Sequence, residues 1–197
     1  HPGGVFSDDL HPTGVPHFAG IDSANYTFGN GTVDTPFSVG AFIWPNAIVS
    51  NTIVAKYDSG AGVAREWRLS IDAAGKLALE LYDESADTTE IATSTSALTL
   101  GRAVFVVASY DGGEAAPVVN LYVDGILAND GSTVETGAYV AMENTTTPLT
   151  VGCNGLTALP AQEFHGRIAL PFVTGKALSA SEVIALYNIY KVLLGLA

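Results

Sequence analysis

Cysteine, charge and long apolar runs are all scarce in this 197-residue chain. The single cysteine, Cys153, excludes an intramolecular disulfide, and so a disulfide framework, without excluding an extracellular setting. It lies in the apolar-alternating run LTVGC, where a thiol reads as a small buried hydrophobe and not as a nucleophile. Charged residues are 14% of the chain, against about a quarter in ordinary domains. The eight Lys and Arg are scattered and face 20 Asp and Glu, for a net charge of −12. Phosphate binding needs clustered cations, so nucleic acid is excluded as a partner. Mean hydropathy is +0.30, yet no run approaches the ~18 apolar residues of a membrane span. The histidines are only His1, His11, His17 and His165. With no H-x-x-x-H or C-x-x-C spacing, they suggest neither a zinc site nor a base for a Ser or Cys nucleophile.

What is present is a succession of short alternating runs ending in Gly, Asp, Asn or Pro: FSVGAFIWP, TIVAKYD, EWRLSIDAAGKLALELYD, ASYDGGE and VVNLYVDG. That is the pattern of antiparallel strands joined by tight turns. Strands are expected near 26–28, 37–44, 52–57, 66–72, 77–82, 89–93, 102–110, 117–123, 126–129, 148–153 and 164–173. Asp124-Gly125, Asp72-Ala-Ala-Gly75 and Asp111-Gly112-Gly113 read as turns, because Gly accepts a positive φ. Alternation sends Trp67, Leu69 and Ile71 to one face and Arg68 and Ser70 to the other. Leu77, Leu79 and Leu81 likewise oppose Ala78, Glu80 and Tyr82. AVFVVAS is apolar on both faces, as a central strand covered on each side would be. Ser179-Ala-Ser-Glu182 is a capping box opening a helix over 180–194. Its stripe Val183, Leu186, Tyr187, Tyr190 and Leu194 suits packing on a sheet. Ile189, Val192, Leu193 and Leu196 form a second stripe, either terminal packing or a subunit contact. Residues 1–20 read as an extended arm, with Phe6 available to pin it to the domain or to a neighbour, and 21–197 as one domain. A start at His1 without a signal-peptide pattern reads as a processed chain or a piece of a longer one.

FSVGAFIWPNA, the D-x-x-G-K-L turn in EWRLSIDAAGKLALEL, LGRAVFVVASYDGGEAAPVVNLYVDGIL, PLTVGC and the closing FHGRIALPFVTGKALSASEV occur in one order. Together they resemble a laminin G-like domain of the concanavalin A-like lectin/glucanase superfamily, over about residues 25–190. The resemblance implies an all-β jelly-roll β-sandwich of two antiparallel sheets, with the N-terminal arm and one C-terminal helix. It also implies glycan binding on a concave face or its rim loops, and often calcium near the rim. Arg102-Ala103 stands where the family commonly has Trp after the LG turn, and Ala169 where an acidic residue commonly follows GRI.

Sugar binding calls for an aromatic ring against the sugar's apolar face, which makes Tyr57, Trp67, Tyr82 and Tyr139 the candidates. Calcium wants six to eight oxygens from loops, which points to Asp58, Asp111, Asp124 and Asp130, each of which is also a good turn former. Glycoside hydrolysis needs two carboxylates across one sugar, and the glucanases' E-x-D-x-x-E strand is missing. The expected function is therefore a non-enzymatic structural or interaction domain of a larger surface assembly, such as a virion decoration or fibre protein. Ile189, Val192, Leu193, Leu196 and Phe6 would be its protein contacts or homo-oligomer contacts. The alternative is a lectin-like carbohydrate-binding adhesion module, with or without calcium, and a glycoside hydrolase is the remote one. Either of the first two belongs at an extracellular or virion surface.

Overall fold

In the computed structural model, residues 5–7, 18–21, 26–58, 64–113, 118–155 and 162–196 are described, the first two stretches by backbone alone. In chain order the strands are β1 (Val5–Ser7), β2 (Phe18–Ile21), β3 (Phe37–Pro45), β4 (Asn51–Asp58), β5 (Ala64–Ile71), β6 (Lys76–Asp83), β7 (Thr88–Ala97), β8 (Val104–Tyr110), β9 (Val119–Val123), β10 (Ile126–Leu127), β11 (Asn129–Thr136), β12 (Leu149–Val151) and β13 (Gly166–Thr174), followed by helix α1 (Ala180–Leu193). They build two antiparallel sheets, the jelly-roll sandwich that the sequence suggests. One has six strands in the order β1-β13-β3-β8-β9-β10, and the other has seven in the order β11-β7-β6-β5-β4-β12-β2.

Period-2 alternation decides what the sheets share. Val39, Ala41, Ile43, Val104, Val106 and Ala108 from one sheet meet Trp67, Leu69, Ile71, Leu77, Leu79 and Leu81 from the other in one buried core. β8 is buried at all seven positions. Its even-numbered residues enter that core, while Phe105 and Val107 point to the opposite face of the six-stranded sheet. There they join Phe42, Tyr122 and Ala169, and α1 covers them with Val183, Leu186, Tyr187, Tyr190 and Leu194. Ser179 and Glu182 cap the helix reciprocally, as the capping box requires.

The turns follow their chemistry. Asp124 and Gly125 both take positive φ, 51° and 79°, in a two-residue hairpin closed by the Val123–Ile126 pair. Asp72 Oδ1 accepts from the Ala74 and Lys76 amides, both at 2.8 Å. Gly40 must be glycine, since a Cβ there would lie 2.5 Å from the Val106 carbonyl oxygen. Pro171 sits in the β13 bulge between Ala169 and Phe172, where a missing N–H is tolerated.

Three expectations change. Residues 26–28 are not a strand, although Gly29 and Asp34 form an isolated bridge nearby. Residues 129–136 are a strand that alternation does not reveal. The arm is not simply irregular, since Val5–Ser7 pairs with β13 and β2 pairs with β12 inside the same chain. Phe6 stands opposite Ile168 in that pairing, and its side chain lies outside the described residues. Among the described residues, no helix is long and apolar enough to cross a membrane.

Candidate functional site

The two outer faces of the sandwich are unlike. The six-stranded sheet carries aromatic and aliphatic residues outward and hides them under α1. No described helix or strand packs on the outer face of the seven-stranded sheet. There, alternation on β4, β5 and β6 turns Tyr57, Arg68, Glu80 and Tyr82 away from the core, with Arg68 directly opposite Glu80 in register.

These residues form a connected ladder. The Tyr57 hydroxyl donates to Glu80 Oε1 at 3.1 Å, and Arg68 bonds Glu80 and, at the rim, Gln162. The Arg68 guanidinium lies 4.6 Å from the centre of the Tyr57 ring, and that of Arg65 lies 3.7 Å from the centre of Tyr82. The two tyrosines meet edge to face at 6.0 Å. Arg65 donates Nε and Nη2 to Glu84, both at 2.8 Å, and Nη2 also to Asp87 at 3.1 Å. The Tyr82 hydroxyl also donates to Asp87.

The protonation chemistry follows. Burial, then the Glu80 charge, pushes the Tyr57 phenol well above its ordinary range. Burial and the Asp87 hydrogen bond raise Tyr82 to about 12. The Arg65 hydrogen bond holds Glu84 below its ordinary range, and the hydrogen bonds from Tyr82 and Arg65 do the same to Asp87. Near neutral pH both phenols stay protonated, and both of these acids are carboxylates.

The aromatic candidates separate. Tyr57 and Tyr82 belong to the ladder, but they are only 7% and 6% exposed, with a guanidinium over each ring. They can offer hydroxyl edges and hold the arginines flat, but not an open face to a sugar. Trp67 is wholly buried in the core, and its indole N–H donates to the Tyr26 carbonyl at 3.0 Å. Tyr139 is buried too, its hydroxyl donating to Asp34 Oδ2 at 2.5 Å beside that of Tyr110 at 2.7 Å. The sugar-stacking role expected of these rings is corrected: among the described residues, no Phe, Trp or Tyr side chain is exposed.

The four aspartates are not brought together. Asp111 Oδ1 accepts from the Gly113 and Val118 amides. Asp124 accepts from the Phe105 amide and pairs with Arg102 at 2.9 Å. Asp130 accepts from Thr93 at 2.6 Å, with Lys76 at 3.4 Å. Asp58 is buried against Gly155, where a Cβ would lie 2.7 Å from its Oδ1. Among the described residues, no three His, Cys, Asp or Glu side chains gather where a metal ion could sit.

Cys153 is buried, and burial pushes its thiol up to about 11, which fits a structural thiol. Ala169 is also fully buried, under α1, where a carboxylate would be desolvated. The family's acidic residue therefore has no place beneath this helix. On α1, Ile189, Val192 and Leu193 are exposed, Val192 at 79%, whereas Leu196 folds back onto the cluster under the helix and is not part of an outward stripe. Sequence reasoning missed Arg65, Arg68, Glu80 and Asp87 as site residues. The outward half of the β5 and β6 alternation carried that signal for Arg68 and Glu80, whereas Arg65 shares the parity of core Trp67 and Asp87 lies in the turn between β6 and β7.

No curated protein matches the chain in sequence. Among solved structures it is similar to the CBM40 domain of the Ruminococcus gnavus IT-sialidase bound to α2,3-sialyllactose, at 17% identity and TM-score 0.61, over 80% of this chain and 84% of that one. It is similar to a candidate carbohydrate-binding protein of Bacteroides ovatus, at 20% identity and TM-score 0.55, over 80% of this chain and 42% of that one. It is also similar to the native heptameric SAP-like pentraxin of Limulus polyphemus, at 13% identity and TM-score 0.54, over 85% of this chain and 84% of that one. Residues 19–184 match a laminin G family model described as concanavalin A-like lectin/glucanases superfamily, and the chain belongs to that superfamily.

Proposed function

We propose that this domain is a non-catalytic carbohydrate-binding module of an extracellular or surface protein. Its ligand site is the outer face of the seven-stranded sheet. The observation that carries this reading is the ladder from Gln162 through Arg68, Glu80, Tyr57 and Tyr82 to Asp87 and Arg65. It sets planar donors and acceptors on a face that no described helix or strand covers, with Tyr57, Glu80 and Tyr82 buried within it and Gln162 and Asp87 open to solvent at its ends. A hydroxyl both donates and accepts, so such an array suits a polyol. The fold shared with carbohydrate-binding modules supports the reading, which replaces a virion or fibre role as the leading one.

Glycan-array screening followed by calorimetry tests it. Replacing Arg68→Gln together with Glu80→Gln removes both charges at near-constant shape, and affinity should fall about tenfold or more while the circular dichroism spectrum is kept. Unchanged affinity in that variant, or no glycan bound by the unsubstituted domain, refutes the reading.

A second reading, a protein contact face, draws on the exposed Ile189, Val192 and Leu193 of α1. It is compatible with the first, since the helix lies on the other sheet.

A further inference from the structure

The guanidiniums would ordinarily recommend this ladder to an anion, but their surroundings argue for the opposite preference. Arg65 already holds Glu84 in fork geometry, at 2.8 Å on each arm, and Asp87 at 3.1 Å. Arg68 is engaged by Glu80 and Gln162. Two cations thus meet three carboxylates within the ladder, in a chain whose net charge is −12. A bound carboxylate can only accept hydrogen bonds, and its fork needs two adjacent N–H groups, whereas Nε and Nη2 of Arg65 and Nη1 and Nη2 of Arg68 already donate to side chains of the protein. It would also face a carboxylate of the protein, and like-charge juxtaposition is a means of rejecting wrong partners. A sugar hydroxyl needs only one donor: it can accept from Arg65 Nη1, which donates to no side chain among the described residues, while donating to the neighbouring carboxylate.

The ends of the ladder are fixed in a way that keeps this pairing. Asp87 has φ 55° and Gln162 has φ 51°, two of the four non-glycine residues with positive φ among the described residues. Backbone in that region persists where its surroundings over-determine it. Each of these residues pins one guanidinium, Asp87 that of Arg65 and Gln162 that of Arg68. An arginine that swung out toward an incoming anion would have to leave these partners.

Building on the reading of this face as a sugar platform, we propose that the ladder selects uncharged, hydroxyl-bearing sugars and rejects carboxylated ones such as sialic and uronic acids. The selectivity comes from carboxylates that already occupy both arginines.

Isothermal titration of the purified chain with matched pairs tests this: lactose against α2,3-sialyllactose, and oligogalactose against oligogalacturonate. The neutral member of a pair should bind about tenfold tighter or more, equivalent to about 1.4 kcal/mol. Replacing Glu84→Gln with Asp87→Asn, which releases Arg65, should narrow or reverse the preference. Binding of the acidic member equal to or tighter than the neutral one overturns the inference and leaves the carbohydrate reading standing. So does a preference that the Glu84→Gln/Asp87→Asn variant leaves unchanged. Binding of neither these pairs nor any other glycan on an array overturns both.

Discussion

Lys56 and Glu66 are wholly buried, with Nζ 2.6 Å from Oε1, and removing one of them should be far more harmful than removing both. Lys56 also donates to the Thr145 carbonyl at 2.8 Å. Glu66 Oε1 accepts from the Thr145 amide and hydroxyl, both at 2.7 Å, and Oε2 accepts from Thr27 at 3.0 Å. The pair thus ties the stretch around Thr145 to the bulged end of β4 and β5. Lys56→Met keeps the length and removes the cation, leaving a buried carboxylate uncompensated. Breaking a buried pair in this way costs about 3–5 kcal/mol. The three remaining donors on Glu66 place the expectation at the lower end, about 3 kcal/mol, or a melting midpoint lower by about 6–12 °C for a chain of this size. Lys56→Met with Glu66→Leu removes both charges, so its cost should fall short of the sum of the single changes by at least about 1 kcal/mol, the signature of direct coupling. Urea unfolding followed by tryptophan fluorescence, to which buried Trp67 contributes, measures all three variants. A Lys56→Met cost under about 1 kcal/mol, or additivity in the double variant, would refute the buried-pair argument.

Two further outcomes follow from the helix. Glu182 is held down to about 2, from an ordinary 4.5, by the Lys176 hydrogen bond first and then by Ser179. A depressed carboxyl contributes stability above the unfolded value and loses it as pH falls through the folded one. The melting midpoint should therefore drop between pH 4.5 and pH 2 less steeply in Glu182→Gln than in the natural chain, and equal slopes would contradict this. On the exposed stripe, Val192→Glu with Leu193→Glu should change stability by less than about 0.5 kcal/mol and lower the solution mass seen by light scattering. An unchanged mass removes the protein-contact reading.

The fold was readable because each inner strand carries its own alternation. Trp67, Leu69 and Ile71 predict their face, and the double apolar face of β8 predicts a strand covered on both sides. β11 escaped because NDGSTVET is polar on both faces, and an edge strand held by pairing to β7 through a bulge needs no apolar pattern. The arm's pairing escaped for a related reason, since three- and four-residue edge strands leave no period to detect. The site was less legible. Residue type suggested open aromatic rings, but whether a tyrosine presents its face or lies beneath an arginine depends on cross-strand neighbours. Arg68 meets Glu80 only through the β5–β6 register, and Arg65 reaches Asp87 across the β6–β7 hairpin.

That register also explains why the two outer faces differ in character. Each sheet buries one face against the other, so the fate of its second face rests on the outward half of the alternation. In the six-stranded sheet this half reads Phe42, Phe105, Val107, Tyr122 and Ala169, an apolar surface that water would leave unsatisfied and that α1 removes from water. In the seven-stranded sheet it reads Tyr57, Arg68, Glu80 and Tyr82, whose polar atoms bond one another along the ladder. Paired charges of this kind need no helix or strand over them, and none of the described ones lies there. Such a face can exchange water for sugar hydroxyls with little change in its own hydrogen bonding. A ligand carboxylate that forked onto either guanidinium would have to displace Glu80 or Glu84 first. On the proposed reading, the pairing that satisfies these charges where no described helix or strand covers them is also what favours uncharged sugars.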